Sequence, residues 1–385
     1  MKITAIEAYP VKIRRGPVYL GDPGTLRKDH DYYLRPHYRS VYSRHLETLL
    51  VKITTDTGIV GWGEALAPVV PEVTGEIVRR LFTPFLLGED PRDVDVLWNK
   101  MYDSMRERGH FTGFMVDAMT AVDVALWDIF GKSVQLPVYR LLGGAYRQEL
   151  TAYVSGLPRE SLEEQVELAL EWKAKGFTAI KLHLGHGVDH DVEVMRRLRE
   201  ALGGGFRLML DAHWQYSVPE AIRLGRQLEA LNVEFLEAPT APEDIAGTAE
   251  IARALDMAVA IGEAKRTCFQ FKERLIPRAA DILQPDVGRT GITELRKIAQ
   301  LAHAFNIPIA PHLSVGLGVC VAATLQVSAA ICNFHILEYQ PTVLEEANKL
   351  LKAPIVCEQG RYVLPDGPGL GVEIDEEKLK EHLAS

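Results

Sequence analysis

Three short hydrophobic runs that each end in a carboxylate decide the fold of this chain. They read Leu208-Met209-Leu210-Asp211, Phe235-Leu236-Glu237 and Ala260-Ile261-Gly262-Glu263. The three carboxylates follow one another at a constant spacing of 26 residues. This spacing accommodates one strand, one helix and two short loops, so it predicts a repeated strand–helix unit.

The same pattern extends in both directions along the chain. Eight β-prone runs, followed by stretches of helical periodicity, lie at residues 150–155, 177–184, 206–210, 233–236, 258–262, 281–285, 307–311 and 334–337. Polar or ionisable side chains stand at the C-terminal ends of seven of these runs. Eight units predict a closed parallel TIM-type barrel with its active site at those ends. An open, doubly wound sheet would gather charges from only two or three strands, so the seven polar ends favour the barrel.

The segments that flank the predicted barrel have a different pattern of apolar and polar residues. Residues 3–13 alternate as a strand, and residues 46–54 and 58–64 alternate around a turn signal, as in a hairpin. Helical periodicity then runs from residue 71 to residue 128, which together predicts an α+β unit. We therefore divide the chain into an α+β unit at 1–125, the barrel at 126–340 and a Pro/Gly-rich tail at 341–385.

Composition excludes several classes of protein. The 385 residues carry a net charge of −9, which disfavours nucleic-acid binding, and no apolar run is long enough for a membrane helix. The four cysteines have no CxxC spacing, so we expect reduced thiols and neither a disulfide scaffold nor a zinc ribbon. The N-terminus alternates like a strand and lacks a signal-peptide core, and we expect a cytoplasmic enzyme.

The three strand-end carboxylates are the first candidate site. Asp211, Glu237 and Glu263 would converge at one barrel mouth, where like charges repel strongly. A hard divalent cation relieves that repulsion, and oxygen ligands suit Mg²⁺. The alternative is that each carboxylate pairs separately with a lysine or an arginine. Because three of them stand in register, we predict an Mg²⁺ site.

Two further strand ends carry candidate proton-transfer groups. His312 and Asp286 end neighbouring strands, so the carboxylate would hold one imidazole nitrogen and leave the other free as a base. Lys181 and His183 are two residues apart on one strand and face the same interior. We expect Lys181, crowded by a second cation and by a nearby metal, to have a depressed pKa and to act near neutral pH.

The last two candidates have open roles. His213, in Asp211-Ala212-His213, would point inward with Asp211, either as a proton donor or as a hydrogen-bond donor to a substrate hydroxyl. Glu338 ends the eighth run. It would act either as a protonated donor to a developing oxyanion, which needs a strongly raised pKa, or as an anion held by lysine or arginine.

Together these residues resemble the enolase superfamily, and within it the mandelate racemase subgroup. The resemblance rests on the three carboxylates, on Gln284-Pro285-Asp286 and Ala310-Pro311-His312, and on flanking glycine-rich motifs at 58–64 and 367–373. It implies a modified (β/α)₇β barrel under an α+β capping domain completed by the C-terminal tail. It also implies Mg²⁺ on the three carboxylates and, as in most relatives, a homo-oligomer. Asp286 separates the chain from the muconate lactonising subgroup, which places a lysine there.

Two positions depart from the mandelate racemase pattern. The second strand ends Lys181-Leu182-His183 instead of Lys-x-Lys, and the third ends Asp211-Ala212-His213 instead of Asp-x-Asn. The Asp-x-His form is similar to sugar-acid dehydratases of the subgroup, in which that histidine is associated with acid catalysis.

We therefore expect an Mg²⁺-dependent dehydratase that converts an aldonate or aldarate into a 2-keto-3-deoxy acid. His312 would be the base and His213 the acid, or else Lys181 with His183 would be the base and His312 the acid. The alternatives are a racemase or epimerase that uses the same metal and two bases, and a noncatalytic scaffold. Product mass separates the first two, because only dehydration loses water.

Substrate specificity is expected to reside in residues 14–45, a segment too long to be a tight connector. Its aromatic and basic residues include His37 and Arg39, and we expect one of these two to contact the distal end of a polyol chain. The alternative for each residue of this segment is a solvated loop or a contact between subunits. We expect the substrate to be a small carboxylate. The other histidines, among them His186 and His190, are expected to be structural or on the surface.

Overall fold

The computed structural model describes residues 1–14, 31–35, 37, 38 and 40–383. The N-terminal part contains β1 Ile3–Arg14, β2 Tyr32–Leu34, β3 Val41–Ser43, β4 His45–Thr55 and β5 Val60–Ala65, followed by α1 Pro71–Glu76, a wider helical turn at Ile77–Phe82, α2 Thr83–Leu86, α3 Val94–Arg106, α4 Phe114–Ser133 and α5 Val138–Leu141. Strands β1, β4 and β5 form an antiparallel sheet, and β2 pairs with β3. The hairpin predicted between residues 46 and 64 is therefore present as β4 and β5.

The central part is the predicted barrel. Its strands are β6 Glu149–Ser155, β7 Ala179–His183, β8 Arg207–Asp211, β9 Phe235–Glu237, β10 Ala258–Ile261, β11 Ile282–Leu283 and β12 Leu337–Tyr339. The helices between them are α6 Leu162–Ala174, α7 Val188–Leu202, α8 Val218–Ala230, α9 Ile245–Ala254, α10 Cys268–Leu275, α11 Val287–Ala304 and α12 Gly318–Ala330. Strands β6 to β11 pair in parallel in chain order, and β12 pairs in parallel with β6.

The seventh strand position is the weakest part of the ring. Residue Ile309 makes isolated parallel bridges to Leu283 and Phe334, and no continuous ladder forms over the predicted run at 307–311. Proline has no N–H to donate, and Pro308 and Pro311 flank this position. The barrel therefore closes through isolated bridges that join this position to the sixth and eighth strands, including a further bridge between Asp286 and His312.

The barrel interior is filled by one apolar layer. Each of the eight strand positions contributes one buried side chain to it: Tyr153, Ala179, Met209, Phe235, Ala260, Ile282, Ala310 and Ile336. The residues on either side of these point outward onto the helices, as Leu208 and Leu210 do. This layer is solid, so the side chains beyond it at the C-terminal strand ends form the floor of the mouth.

The C-terminal tail contacts both larger parts of the molecule. It contains α13 Pro341–Lys349, β13 Cys357–Glu358, β14 Arg361–Val363 and α14 Glu376–Lys380. Strand β14 pairs antiparallel with β6 of the barrel, whereas Glu376 pairs with Lys52 on β4. Helix α4 runs through residue 125, so the boundary predicted there falls inside a helix.

Two further expectations concern disulfides and membranes. All four cysteines lie within the described residues, and none forms a disulfide. Among the helices that the structure describes, none is long and apolar enough to cross a membrane.

A glycine in β5 allows helix α4 to pack closely against the sheet of β1, β4 and β5. A Cβ atom on Gly63 of β5 would lie 1.8 Å from the carbonyl oxygen of Ala121 in α4. We expect Gly63→Ala to destabilise the protein by roughly 3 kcal/mol, because backbone must move to relieve the clash. Urea unfolding measures this. Gly204→Ala is the control, since its Cβ would meet nothing within 4 Å. Equal stability of both variants would contradict this packing argument.

Candidate active site

Three strand-end carboxylates meet at the barrel mouth. Asp211 ends β8, Glu237 ends β9, and Glu263 stands two residues after β10. One ligand atom from each lies within 4.8 Å of the other two. Just beyond two of these strands, His213 and Ala238 adopt left-handed backbone conformations with φ of 46° and 45°. Such conformations cost energy and commonly mark functional sites.

The carboxylate cluster is short of positive charge at Glu237. Burial raises the pKa of Glu237, and the nearby carboxylates of Asp211, Glu263 and Glu338 raise it further. Lys181 opposes this rise, and the pKa of Glu237 reaches about 8. Within the described residues, the buried Oε1 atom of Glu237 has no hydrogen-bond partner. An all-oxygen donor set with one unsatisfied oxygen fits a hard divalent cation such as Mg²⁺.

Lys181 does not have the electrostatic environment predicted from the sequence. Its Nζ atom is fully buried and lies 2.7 Å from Glu237 Oε2 and 3.5 Å from Glu338 Oε1. Burial lowers the pKa of Lys181, but the two carboxylates outweigh it and hold the pKa well above the ordinary value. Among the protein's own groups, these carboxylates thus raise the pKa of Lys181 where a depressed pKa was expected, and His183 contacts Asp211. Lys181 is a fixed positive charge.

Glu338 is an anion, which decides between its two predicted roles. Burial raises the pKa of Glu338, but Lys181, His312, the Ser155 hydroxyl and the Leu313 N–H together lower it to about 2. Its Oε2 accepts the Leu313 N–H at 2.8 Å. A protonated Glu338 that donates to an oxyanion is thus disfavoured, and the carboxylate serves to hold Lys181 and Ser155 in place.

His312 and Asp286 form the expected pair. Their Nδ1 and Oδ2 atoms are 2.6 Å apart, and the other carboxylate oxygen of Asp286 accepts the Gly288 N–H at the start of α11. His312 Nε2 faces the mouth, 3.1 Å from Glu263 Oε2. Burial lowers the pKa of His312, but Glu263, Glu338 and Asp286 outweigh it and raise the pKa well above 6.5. The imidazole is therefore strongly basic.

Two more imidazoles lie on the facing wall. His183 Nδ1 lies 2.9 Å from Asp211 Oδ2, and His213 Nε2 lies 3.3 Å from the same oxygen. Burial lowers the pKa of His213, and this effect outweighs the rise that the nearby Asp211 carboxylate causes. Strands three and seven of an eight-stranded ring are diametrically opposed, so His213 and His312 face each other across the mouth.

Ser155 is a site residue that the sequence reasoning missed. It ends β6, the one strand without an ionisable end residue, and its Oγ lies 2.9 Å from His183 Nε2 and 2.5 Å from Glu338 Oε1. Its position at a C-terminal strand end was the signal that could have identified it.

The specificity segment is only partly described. His37 Nε2 lies 2.9 Å from the Gly185 carbonyl oxygen, and its ring stacks on His186 with centroids 4.0 Å apart. Both rings line a cavity of about 380 Å³ that extends to His183. His186, expected to be structural or on the surface, therefore lines this cavity together with His37. Arg39, the other predicted contact, lies outside the described residues.

Comparisons with known proteins agree with this geometry. Residues 164–378 match the family described as enolase C-terminal domain-like, and residues 25–143 match the mandelate racemase / muconate lactonizing enzyme N-terminal domain. A D-galactarolactone cycloisomerase from Agrobacterium fabrum is 36% identical over 86% of this chain and 90% of its own. An arabinonate dehydratase from Saccharolobus solfataricus is 33% identical over 88% and 91%.

Solved structures extend the similarity over the whole chain. A member of the enolase superfamily from Agrobacterium tumefaciens superimposes with a TM-score of 0.94 at 35% identity, covering 99% of both chains. A racemase from Streptomyces coelicolor with bound magnesium gives a TM-score of 0.86 at 26% identity, covering 99% of this chain and 100% of its own.

Proposed function

Because this chain belongs to the enolase superfamily, in the family of mandelate racemase and muconate lactonising enzyme, we propose that it is a sugar-acid dehydratase. It would remove water from an aldonate or aldarate and release a 2-keto-3-deoxy acid. The observation that carries this proposal is the placement of His213 opposite the Asp286–His312 pair, since dehydration needs a base and an acid. The similarity to an arabinonate dehydratase supports the same reaction class.

Asp211, Glu237 and Glu263 are the residues that would hold Mg²⁺. Bound there, the cation would neutralise the substrate carboxylate and acidify the proton on the adjacent carbon. Lys181 adds a fixed positive charge beside the same carboxylates, because it stays ionised between Glu237 and Glu338. This charge would stabilise the negative charge that develops on the substrate carboxylate when its α-proton leaves.

His312 would take the α-proton. Asp286 holds the Nδ1 side of the ring, so Nε2 is the atom that accepts the proton. Because burial lowers its pKa, His213 would first have to take up a proton. It would then donate this proton to the β-hydroxyl from the facing wall, and the C–O bond breaks as water leaves. The resulting enol takes up a proton at the β-carbon and becomes the 2-keto acid. The two imidazoles thus divide proton removal and proton delivery between them.

An isomerase is the second candidate, because the curated relative at 36% identity is named a cycloisomerase. The same base would serve both reactions, and only dehydration releases water. A screen of mono- and di-acid sugars with Mg²⁺, read out as 2-keto acid formation, tests the proposal. A substrate converted without 2-keto acid formation would favour the isomerase.

Metal removal tests the role of the three carboxylates. We expect chelation with EDTA to abolish activity and Mg²⁺ to restore it. Mg²⁺ at about 100 times its Kd should also stabilise the folded protein by about 2.7 kcal/mol, measured as a rise in Tm. Glu237→Gln should lose this rise, and Glu377→Gln, on the exposed C-terminal helix, should keep it. Full activity after chelation would contradict the proposal.

A further inference from the structure

Glu263 differs from the other two carboxylates of the cluster in how the backbone holds it. Asp211 and Glu237 are the last residues of β8 and β9, and they pair with each other in the parallel ladder. Strand β10 ends at Ile261, which is also its last residue paired with β11, so Glu263 lies two residues beyond the ladder. The position of the Glu263 carboxylate therefore depends on the loop formed by residues 262–267.

One side chain, Arg266, braces this loop from within. Its Nη1 atom donates to the carbonyl oxygen of Ala264 at 3.0 Å. Its backbone N–H donates to Oε1 of Gln270, in helix α10, at 2.8 Å. Because Ala264 directly follows Glu263 in the chain, the first of these contacts fixes the peptide next to the residue that carries the carboxylate.

The guanidinium of Arg266 is itself held by helix α4. Its Nε and Nη2 atoms donate to the two carboxylate oxygens of Asp117 at 2.8 and 3.0 Å. The side chains are only 13% and 5% exposed, so salt and water screen the pair little. A bidentate arginine–carboxylate pair fixes orientation as well as distance. Asp117 lies in the first turn of α4, so the loop that carries Glu263 is tied to this helix.

We propose that Arg266 is a positioning residue, which holds Glu263 in place for Mg²⁺ and couples the metal site to the contact with α4. This inference rests on the part of the proposed function that assigns Mg²⁺ to the three carboxylates. Contacts behind metal ligands commonly contribute about 10- to 100-fold to metal affinity. Coupling is reciprocal, so bound Mg²⁺ strengthens the Asp117–Arg266 contact by the factor by which that contact strengthens Mg²⁺ binding.

The sign of the change in Mg²⁺ affinity separates positioning from simple electrostatics. A nearby guanidinium repels Mg²⁺, so removal of its charge alone would strengthen metal binding. Loss of positioning weakens it instead. We therefore expect Arg266→Gln to lower the Mg²⁺ affinity by roughly 10-fold, measured by isothermal titration. Asp117→Asn should lower the affinity by a smaller factor, since Arg266 keeps its hydrogen bond to Ala264.

The matched control is Asp123→Asn. Asp123 also joins α4 to the barrel, because its carboxylate accepts the backbone N–H of Thr293 at 3.0 Å. Thr293 belongs to α11, a helix that carries none of the three carboxylates. The control should therefore weaken a contact of α4 and keep the wild-type Mg²⁺ affinity. Unchanged affinity in Arg266→Gln, or an equal loss in Asp123→Asn, would overturn the proposal.

A second measurement, on the wild-type protein, does not depend on how the variants fold. Hydrogen exchange followed by mass spectrometry should slow in the first turn of α4, residues 114–118, when Mg²⁺ is added, because metal binding tightens the contact through Arg266. Exchange that is unchanged there at saturating Mg²⁺ would overturn the coupling. A wild-type protein that binds no Mg²⁺ would instead remove the metal site, and with it both the proposed function and this inference.

Discussion

We expect His312→Asn to lower kcat/KM by roughly 10³-fold, because the variant lacks the only imidazole that Asp286 orients toward the mouth among the described residues. Asparagine preserves much of the polarity and shape of the site but has no basic nitrogen. The matched control is His303→Asn, an exposed histidine outside the mouth, which should keep wild-type activity.

Proton exchange in D₂O separates the roles of the two imidazoles. If His312 is the base, His312→Asn should no longer exchange the substrate α-proton. His213→Asn should still exchange it but should fail to eliminate water. An His312→Asn variant that exchanges at the wild-type rate would remove His312 as the base and would favour the reverse assignment.

The assignment of His312 as the base also predicts how kcat/KM changes with pH. A base works only when unprotonated, so kcat/KM should rise with pH through the pKa of His312, which lies above 6.5. Asp286→Asn removes one of the carboxylates that raise this pKa, so the rising limb should move to lower pH. A limb that stays in place would contradict the coupling between the two residues.

Lys181→Met should destabilise the protein by about 3–5 kcal/mol in the absence of metal. The Lys181 side chain is 0% exposed and lies between the carboxylates of Glu237 and Glu338. Methionine fills similar space but leaves those two buried carboxylates without their cation. Urea unfolding measures the loss, and Mg²⁺ should restore part of it because it neutralises Glu237.

Lys349→Met is the control for the lysine substitution. Lys349 pairs with Glu346 on the surface, where an ion pair contributes about 1 kcal/mol at most. If Lys181→Met unfolded at the same urea concentration as Lys349→Met, the buried ion-pair network would not have the role assigned to it.

The barrel was predictable because its signal is local and repeated. Each strand carries its own hydrophobic run and its own polar end, so the spacing of Asp211, Glu237 and Glu263 alone indicates which side chains meet. The length of the seventh strand was overestimated, since isolated bridges take the place of the predicted ladder. The reason is that Pro308 and Pro311 have no N–H groups to donate, and this outweighs the β propensity of Ile307 and Ile309.

The charge states in the mouth were harder to predict, because they depend on contacts between strands. The Lys181-Leu182-His183 triplet shows two cations on one face but does not show that His183 turns to Asp211 and leaves Lys181 to two carboxylates. Ser155 is uncharged and matters only through His183 and Glu338, so no sequence pattern singled it out.

The mass of the product tests the central claim most directly. The purified protein with Mg²⁺ is incubated with each sugar acid that it consumes, and the mass of the product is measured by mass spectrometry. If the protein is a dehydratase, we expect a product lighter than its substrate by one water, with a ketone at the carbon next to the carboxylate. A product with the mass of its substrate would contradict dehydration and identify the enzyme as an isomerase or epimerase.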